Sequence, residues 1–379
     1  MDASTLDRPL DLPRAFQREG KPDLRCLDRA GLEAWMVEQG EPRFRALQVY
    51  KWLWQKGEAD FGAMSNISLQ TRARLQEGAF ASVLDTQARQ QSEDGTIKYL
   101  WRLHDGSTIE SVLIPDTERD GPPRLTLCVS TQVGCAMACS FCLTGDMGLK
   151  RNLNPAEIAL QPLTVQADLP EGTRITNLVM MGMGEPLHNY DNLITALRIL
   201  LDDEGQSYSH RRITVSTVGL VPALKRLSAE LPVNIAVSLN ATTEEQRRAV
   251  MPITRKYSLK ELMETCRALP VPRARRITFE YVMMAGFNDS MEDARRLVGL
   301  MHGVRAKVNL IPYNENPQRD IRRPSDTRVR EFQDYLVERR VHCSVRQARG
   351  RDISAACGQL GGAAELMVER LPTMGAPGA

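Results

Sequence analysis

No apolar run in the 379 residues approaches the ~18 residues that a membrane span requires. The first residues lack the apolar core of a secretory signal, so a cytoplasmic protein without membrane association is expected. Regular paired spacing is also missing from the eight cysteines. That argues against a disulfide scaffold and for a reducing compartment with metal or redox chemistry. The chain contains no tandem repeat, and no low-complexity segment beyond the tail at 371–379. Charge imbalance is absent too, since the net charge of +2 says almost nothing about partners.

Charge distribution says more. Between 319 and 351 stand ten Arg against five acidic residues, and Arg43, Arg45, Lys51 and Lys56 form a smaller basic set. Such sets are ordinarily solvated helix faces, and charge by itself does not point to a nucleic-acid partner. A hydrophobic content of 42% and a charged content of 25% are those of a globular protein. The length suffices for two domains, or for one large domain with an appendage.

The run Gly134-Cys-Ala-Met-Ala-Cys-Ser-Phe-Cys142 carries the sharpest chemical signal. Thiolates at Cys135, Cys139 and Cys142 can hold three corners of a [4Fe–4S] cluster and leave the fourth iron without a protein ligand. Clusters that only carry electrons normally have four cysteine ligands, so an open iron points to a bound, reacting small molecule. The plainer reading is structural zinc with Cys128 as fourth ligand, but zinc ligands usually come as two close pairs.

Residues 1–23 read as a loose extension. Between 28 and 80 the pattern turns helical, with Phe44, Leu47, Tyr50 and Trp54 recurring at steps of three and four. Core packing is the expected role of these aromatics, and base stacking the alternative. The stretch 83–115 alternates and carries turn signals at Glu93-Asp-Gly95 and Asp105-Gly106, as a β-meander does. The reading is a small N-terminal accessory domain over 24–115, then an α/β domain over 116–350, and a C-terminal segment over 351–379. Strands are expected at 125–130, 175–181, 212–218, 233–239, 276–282, 307–311 and 341–346, with crossover helices such as 258–268 and 290–301. This repetition implies a parallel sheet, whose ligand site gathers at the carboxyl ends of the strands.

The cysteine run, its lead-in Arg124-Leu-Thr-Leu-Cys128-Val-Ser-Thr-Gln-Val-Gly-Cys135, and four later blocks follow in one order. Those blocks are Met181-Gly-Met-Gly-Glu-Pro-Leu-His-Asn-Tyr190, Ile213-Thr-Val-Ser-Thr-Val-Gly219, Val308-Asn-Leu-Ile-Pro-Tyr-Asn314 and Arg349-Gly-Arg-Asp-Ile-Ser-Ala-Ala-Cys357-Gly-Gln-Leu360. Together they resemble the RlmN/Cfr family of radical S-adenosylmethionine (SAM) RNA adenine methyltransferases. The resemblance implies a partial (β/α)6 barrel, a [4Fe–4S] cluster and SAM as cofactors, and adenines in 23S rRNA and tRNA as targets. It also implies a reductant protein as electron donor.

By that resemblance Gly184 and Glu185 bind the SAM amino group, and Ser216, Ser238, Leu239, Asn240 and Asn314 match further SAM contacts. The family often has His where this chain has Asn240, which can hydrogen-bond but cannot titrate near neutral pH. Cys357 would take a methyl group from one SAM and deliver it, as a methylene radical, to the ring carbon. Glu110 would accept a proton, and Cys128 would release the product by a transient disulfide with Cys357. A thiol is needed because adenine C2 is electron-poor and does not attack the SAM methyl group, whereas a thiolate does.

From the residues alone, the Gly184-Glu185 turn is equally a plain βα turn, Glu110 a solvated strand residue, and an isolated cysteine a small buried hydrophobe. The regiochemistry has two readings, C2 and the C8 of the Cfr branch; the accessory domain sides with C2. Two rival classes are an RNA-binding protein with a structural metal and a radical SAM enzyme acting on a protein or small molecule. Iron content, SAM cleavage and methyl label in RNA separate them.

Overall fold

The protein is described here from a computed structural model covering residues 17–116, 124–272 and 274–361. Most of the extension expected over 1–23 and the tail from 362 onward lie outside the described residues. Two compact units divide the chain.

The first unit joins the N-terminal residues up to Leu84 with Leu153–Arg174 and Asp191–Ser209. Helices α1 (Arg29–Glu38) and α3 (Leu69–Gly78) begin at capping residues that sequence chemistry favours, whereas α2 (Arg43–Trp54) starts after Pro42 without a side-chain cap. Asp28 accepts from the Gly31 N–H and Ser68 from the Thr71 N–H. On α2, Tyr50 and Trp54 are buried as the periodicity predicts, but Phe44 is 59% exposed, with the Arg45 guanidinium 5.0 Å from its ring centre. The buried Arg25 guanidinium binds the unit internally, donating to the carbonyls of Leu53, Gly57 and Ser82.

The second unit is built on a ten-stranded sheet. Its strands are β1 (Asp85–Gln91), β2 (Ile97–Arg102), β3 (Thr108–Asp116), β4 (Arg124–Cys128), β5 (Asn177–Met180), β6 (Ile213–Thr217), β7 (Asn234–Ser238), β8 (Ile277–Met283), β9 (Ala306–Pro312) and β10 (Cys343–Val345). They lie in chain order from β1 at one edge to β10 at the other. The meander β1–β4 is antiparallel, and β4 to β10 are parallel.

Six crossovers join the parallel strands. Those carrying α4 (Pro155–Ala167) and most of α5 (Tyr190–Leu201) belong to the first unit. The others carry α6 (Val221–Glu230), α7 (Glu244–Val250) with α8 (Leu259–Ala268), α9 (Met291–Met301) and α10 (Asp326–Glu338). Ser258 and Ser290 cap α8 and α9 through the Glu261 and Asp293 N–H groups. The sheet stays open, yet residues at the ends of β5 to β9 and just past β10 line one cavity. The architecture is the partial α/β barrel expected. Among the described residues no helix is long and apolar enough to cross a membrane.

One boundary differs from the sequence reading. The meander expected within an accessory domain over 24–115 belongs to the sheet unit, and the division falls at Leu84. Strand β3 pairs with β4, with Val112 opposite Cys128 and Leu113 opposite Leu127. Alternation announces a strand but not the sheet it joins, because the outer edge of a meander is free to pair.

Candidate active site

Beyond β4 the chain makes a short antiparallel pair, Gln132–Gly134 with Leu149–Asn152, and the loop between them carries the three cysteines. Gly134 has φ +75°, and a Cβ there would lie 1.8 Å from the Gly148 carbonyl oxygen, so only glycine lets the strands cross so closely. The Cys135 N–H donates to that carbonyl (2.9 Å), Cys142 N–H to the Cys139 carbonyl (3.1 Å), and Ser140 N–H to the Val250 carbonyl (3.0 Å). Arg319 holds the outer turn: it donates to the carbonyls of Ser140 and Cys142 and to Asp146.

All three thiols face one cavity. Burial pushes Cys135 up to about 12 and raises Cys139 and Cys142; the charges of neighbouring cysteines add to the rise at Cys135 and Cys139. Thiolates so placed need a cationic metal centre to be stable. Among the described residues no three His, Cys, Asp or Glu converge on a single-ion site, and Cys128 does not complete one with the triplet. A cluster asks for something else, three thiolates on three different irons, and this loop can supply them.

The same cavity is lined by Gly184, Glu185, Ser216, Ser238, Asn240 and Asn314. Gly184 has φ +104°, and a Cβ there would lie 2.8 Å from the Gln132 backbone nitrogen. Glu185 is 3% exposed; its carboxylate accepts from the Val218 N–H (2.9 Å) and the Leu187 N–H (3.2 Å), and burial pushes it up to about 7. A buried carboxylate with spare lone pairs and, among the described residues, no cation beside it is suited to an ammonium group. Ser216 and Ser238 stand at the ends of β6 and β7.

Asn314 donates to the Cys357 carbonyl (3.2 Å) while its buried Oδ1 has no partner among the described residues, leaving an acceptor at the cavity wall. Asn240 adopts φ +57°, a conformation Asn tolerates well; its Oδ1 accepts from the Val282 N–H (2.8 Å) and its Nδ2 meets the Met251 sulfur. Its amide thus serves the wall of the cavity. Leu239, also expected at the site, is fully buried and not in the lining, with its N–H donating to the Glu280 carbonyl.

A second cavity adjoins Cys128, Cys357, Arg346 and Arg349, and Cys357 lines both. Burial together with the Cys357 charge pushes Cys128 up to about 12. Arg346 is raised, chiefly by Cys357, with Glu280 and Cys128 contributing. Two cysteines 229 positions apart in sequence therefore share one guanidinium. Sequence pattern missed Arg346, since an arginine in a basic stretch reads as solvated.

The segment bearing Cys357 is strapped down at several points. Gly350 N–H donates to Asp94 (2.9 Å), Ser92 to Asp352 (2.5 Å), Thr144 to the Leu360 carbonyl (2.8 Å) and Gly361 N–H to Glu110 (2.7 Å). Glu110 lies beneath this strap, 1% exposed, and lines neither cavity. Burial raises its carboxyl, and Lys98, with Nζ 3.6 Å away, opposes the rise.

Comparison with known proteins adds the family context. Residues 22–81 match the model of the ribosomal RNA large subunit methyltransferase N-terminal domain, and 129–298 that of the radical SAM superfamily. The chain is 50% identical over 361 residues to a dual-specificity RNA methyltransferase RlmN of Anaeromyxobacter sp. (strain Fw109-5), covering 94% of each. It is 51% identical over 354 residues to a protein of the same name from Pelobacter propionicus, covering 93% of this chain and 99% of that one. The crystal structure of a radical SAM methyltransferase from Sphaerobacter thermophilus superposes with a TM-score of 0.83 at 43% identity, covering 89% of this chain and 99% of that one.

Proposed function

The chain belongs to the RlmN family of radical SAM RNA methyltransferases, and on that premise we propose that it methylates C2 of adenine in 23S rRNA and tRNA, with Cys357 as the methyl carrier. The observation that carries this reading is the position of Cys357 between two cavities. One is lined by Cys135, Cys139 and Glu185, the other by Cys128, and Cys142, Asn314 and Arg346 line both.

Cys135, Cys139 and Cys142 would hold a [4Fe–4S] cluster, which with bound SAM and a reductant protein as electron donor would supply the radical chemistry. Glu185 holds the SAM ammonium group, and Asn314 Oδ1 accepts from a cofactor N–H or O–H. Cys357, with Arg346 beside it in the lining of both cavities, is the nucleophile that takes the methyl group from the sulfonium. Glu110 accepts the proton that leaves the adenine adduct. It is turned to Gly361 and Lys98 in this arrangement, so release of the Gly361 N–H precedes that step. Cys128 then attacks the Cys357 sulfur; the S–CH2 bond to the base breaks with its electron pair going to the carbon, which takes up a proton to become the methyl group, and the Cys128–Cys357 disulfide is left on the protein. The C8 alternative is not favoured, because the relatives and the matched N-terminal domain carry the RlmN name.

The test is anaerobic. Reconstituted enzyme, reductant, labelled SAM and unmodified rRNA or tRNA are incubated, and the digested nucleosides are identified by mass spectrometry. Label is expected as 2-methyladenosine from both RNAs. Label in 8-methyladenosine, or in no adenosine despite SAM cleavage, overturns the reading.

A further inference from the structure

Arg247 on α7 is completely buried. Its hydrogen bonds all end on neutral oxygens: Thr254 Oγ1 (2.9 Å), the Val218 carbonyl (2.6 Å) and the Ser238 carbonyl (3.3 Å). Its Nε has no partner among the described residues. Glu244, one turn back, is engaged by Arg248 and by the Leu259 N–H. Buried guanidinium groups are ordinarily paired with an anion, because leaving the charge unpaired away from water is costly. This one has no carboxylate within ion-pair distance among the described residues.

The surroundings indicate which anion is missing. Cys139, Val218, Val250 and Met251 pack in one apolar group, and the Ser140 N–H of the cysteine loop donates to the carbonyl of Val250, three residues along from Arg247. Burial pulls the guanidinium down to about 10, and the strongest opposing influence is the Cys139 thiolate. Arg247 thus bonds to residues packed against the cysteine loop, and it does not itself line the cavity.

We propose that Arg247 is the buried counter-charge of the cluster and raises its reduction potential, acting through the cluster and not on substrate. The proposal rests on reading Cys135, Cys139 and Cys142 as the cluster ligands. A cluster held by three thiolates is anionic when oxidised and gains a further negative charge on reduction. A cation fixed nearby in poorly screened surroundings stabilises the reduced form more than the oxidised one. Arg247 is therefore a positioning residue with an electrostatic task. Its contact with Val218 adds a mechanical link, since the N–H of Val218 donates to Glu185.

The experiment is an EPR-monitored redox titration of reconstituted full-length enzyme, wild type against Arg247→Gln and Arg247→Lys, with iron and sulfide counted in each. Arg247→Gln is expected to shift the midpoint to lower potential at unchanged cluster content, and Arg247→Lys to stay near wild type. A wild-type midpoint in a fully loaded Arg247→Gln enzyme overturns the proposal. Should Arg247→Gln fail to fold, Thr254→Asp decides: it keeps the guanidinium and sets a carboxylate against it. A lowered midpoint supports the counter-charge and an unchanged one overturns it. Failure of the wild type to take up iron would instead sink the ligand reading, and this proposal with it.

Discussion

Lys98 on β2 and Glu110 on β3 form an ion pair sealed from water, with Nζ 3.6 Å from Oε1 and side chains 0% and 1% exposed. Each has one further tie to the strap that carries Cys357: Lys98 donates to the Ser354 carbonyl (3.5 Å), and Glu110 accepts from the Gly361 N–H (2.7 Å). The pair thus joins the meander to the segment on which the proposed methyl carrier sits.

Lys98→Met leaves Glu110 buried without its cation, a loss on the order of 3–5 kcal/mol at neutral pH. The sign of the pH dependence follows from Glu110. Its folded-state value is already raised by burial and rises further without Lys98, so the folded state binds the proton more tightly than the unfolded one. The variant should therefore regain stability as pH falls through the raised value. Urea unfolding at neutral and mildly acidic pH measures this. The double variant Lys98→Met/Glu110→Gln should be more stable at neutral pH than Lys98→Met alone; equal or lower stability would count against the pair.

Cys357→Ala and Cys128→Ala should fail in different ways. The first removes the nucleophile, so the protein never gains a methyl group and intact-mass measurement after incubation with SAM shows no added methyl. The second keeps the carrier and removes the thiol that frees it. It should accumulate a covalent protein–RNA adduct, visible as a band that nuclease digestion collapses, with at most one turnover per enzyme. Normal turnover in Cys128→Ala would refute the resolving role.

The strands were legible because parallel strands covered on both faces read as apolar runs. All seven expected runs became β4 to β10, shifted by a residue or two at their ends. Charged residues whose meaning depends on distant partners were not legible. Lys98 sits in Ile97-Lys-Tyr-Leu-Trp-Arg102 and is fully buried only because Glu110 and Ser354 meet it. Arg346, within the basic stretch 319–351, reads as solvated until the cysteines it faces are placed in space, and Arg247 carries no signal in the sequence at all. Motif matching also misses side-chain direction: Leu239 lies between Ser238 and Asn240 in the matched stretch, yet it turns into the core while both neighbours line the cavity.

Glu185 gives a prediction about pH. Its carboxyl, pushed up to about 7, must be ionised to hold an ammonium group. Protonation competes with SAM below that value, so affinity should fall as pH drops through about 7 and level off above it. Glu185→Gln removes the charge, weakens SAM binding about tenfold to a hundredfold, and flattens the dependence. Equilibrium binding of labelled SAM to oxidised, reconstituted enzyme on both sides of neutrality reads both effects. An unchanged affinity in Glu185→Gln would remove the residue from the SAM site.

Arg319 tests whether the cysteine loop is organised before it meets iron. Its guanidinium, 15% exposed, donates to the carbonyls of Ser140 and Cys142 and to Asp146 (2.5 Å), so it spans the last two cysteines from outside the cavity. Arg319→Ala strips donors from two carbonyls in the loop, at roughly 1.5–3 kcal/mol for each charge-assisted bond lost. Most of that cost falls on the loop and little on the distant sheet. The variant should unfold near the wild-type midpoint yet lose iron to a chelator faster and reconstitute with fewer irons per chain. Arg319→Lys should recover only part of the loss, because a single ammonium cannot reproduce the planar fork of donors. Iron retention equal to wild type in Arg319→Ala would show that the cluster organises its own loop.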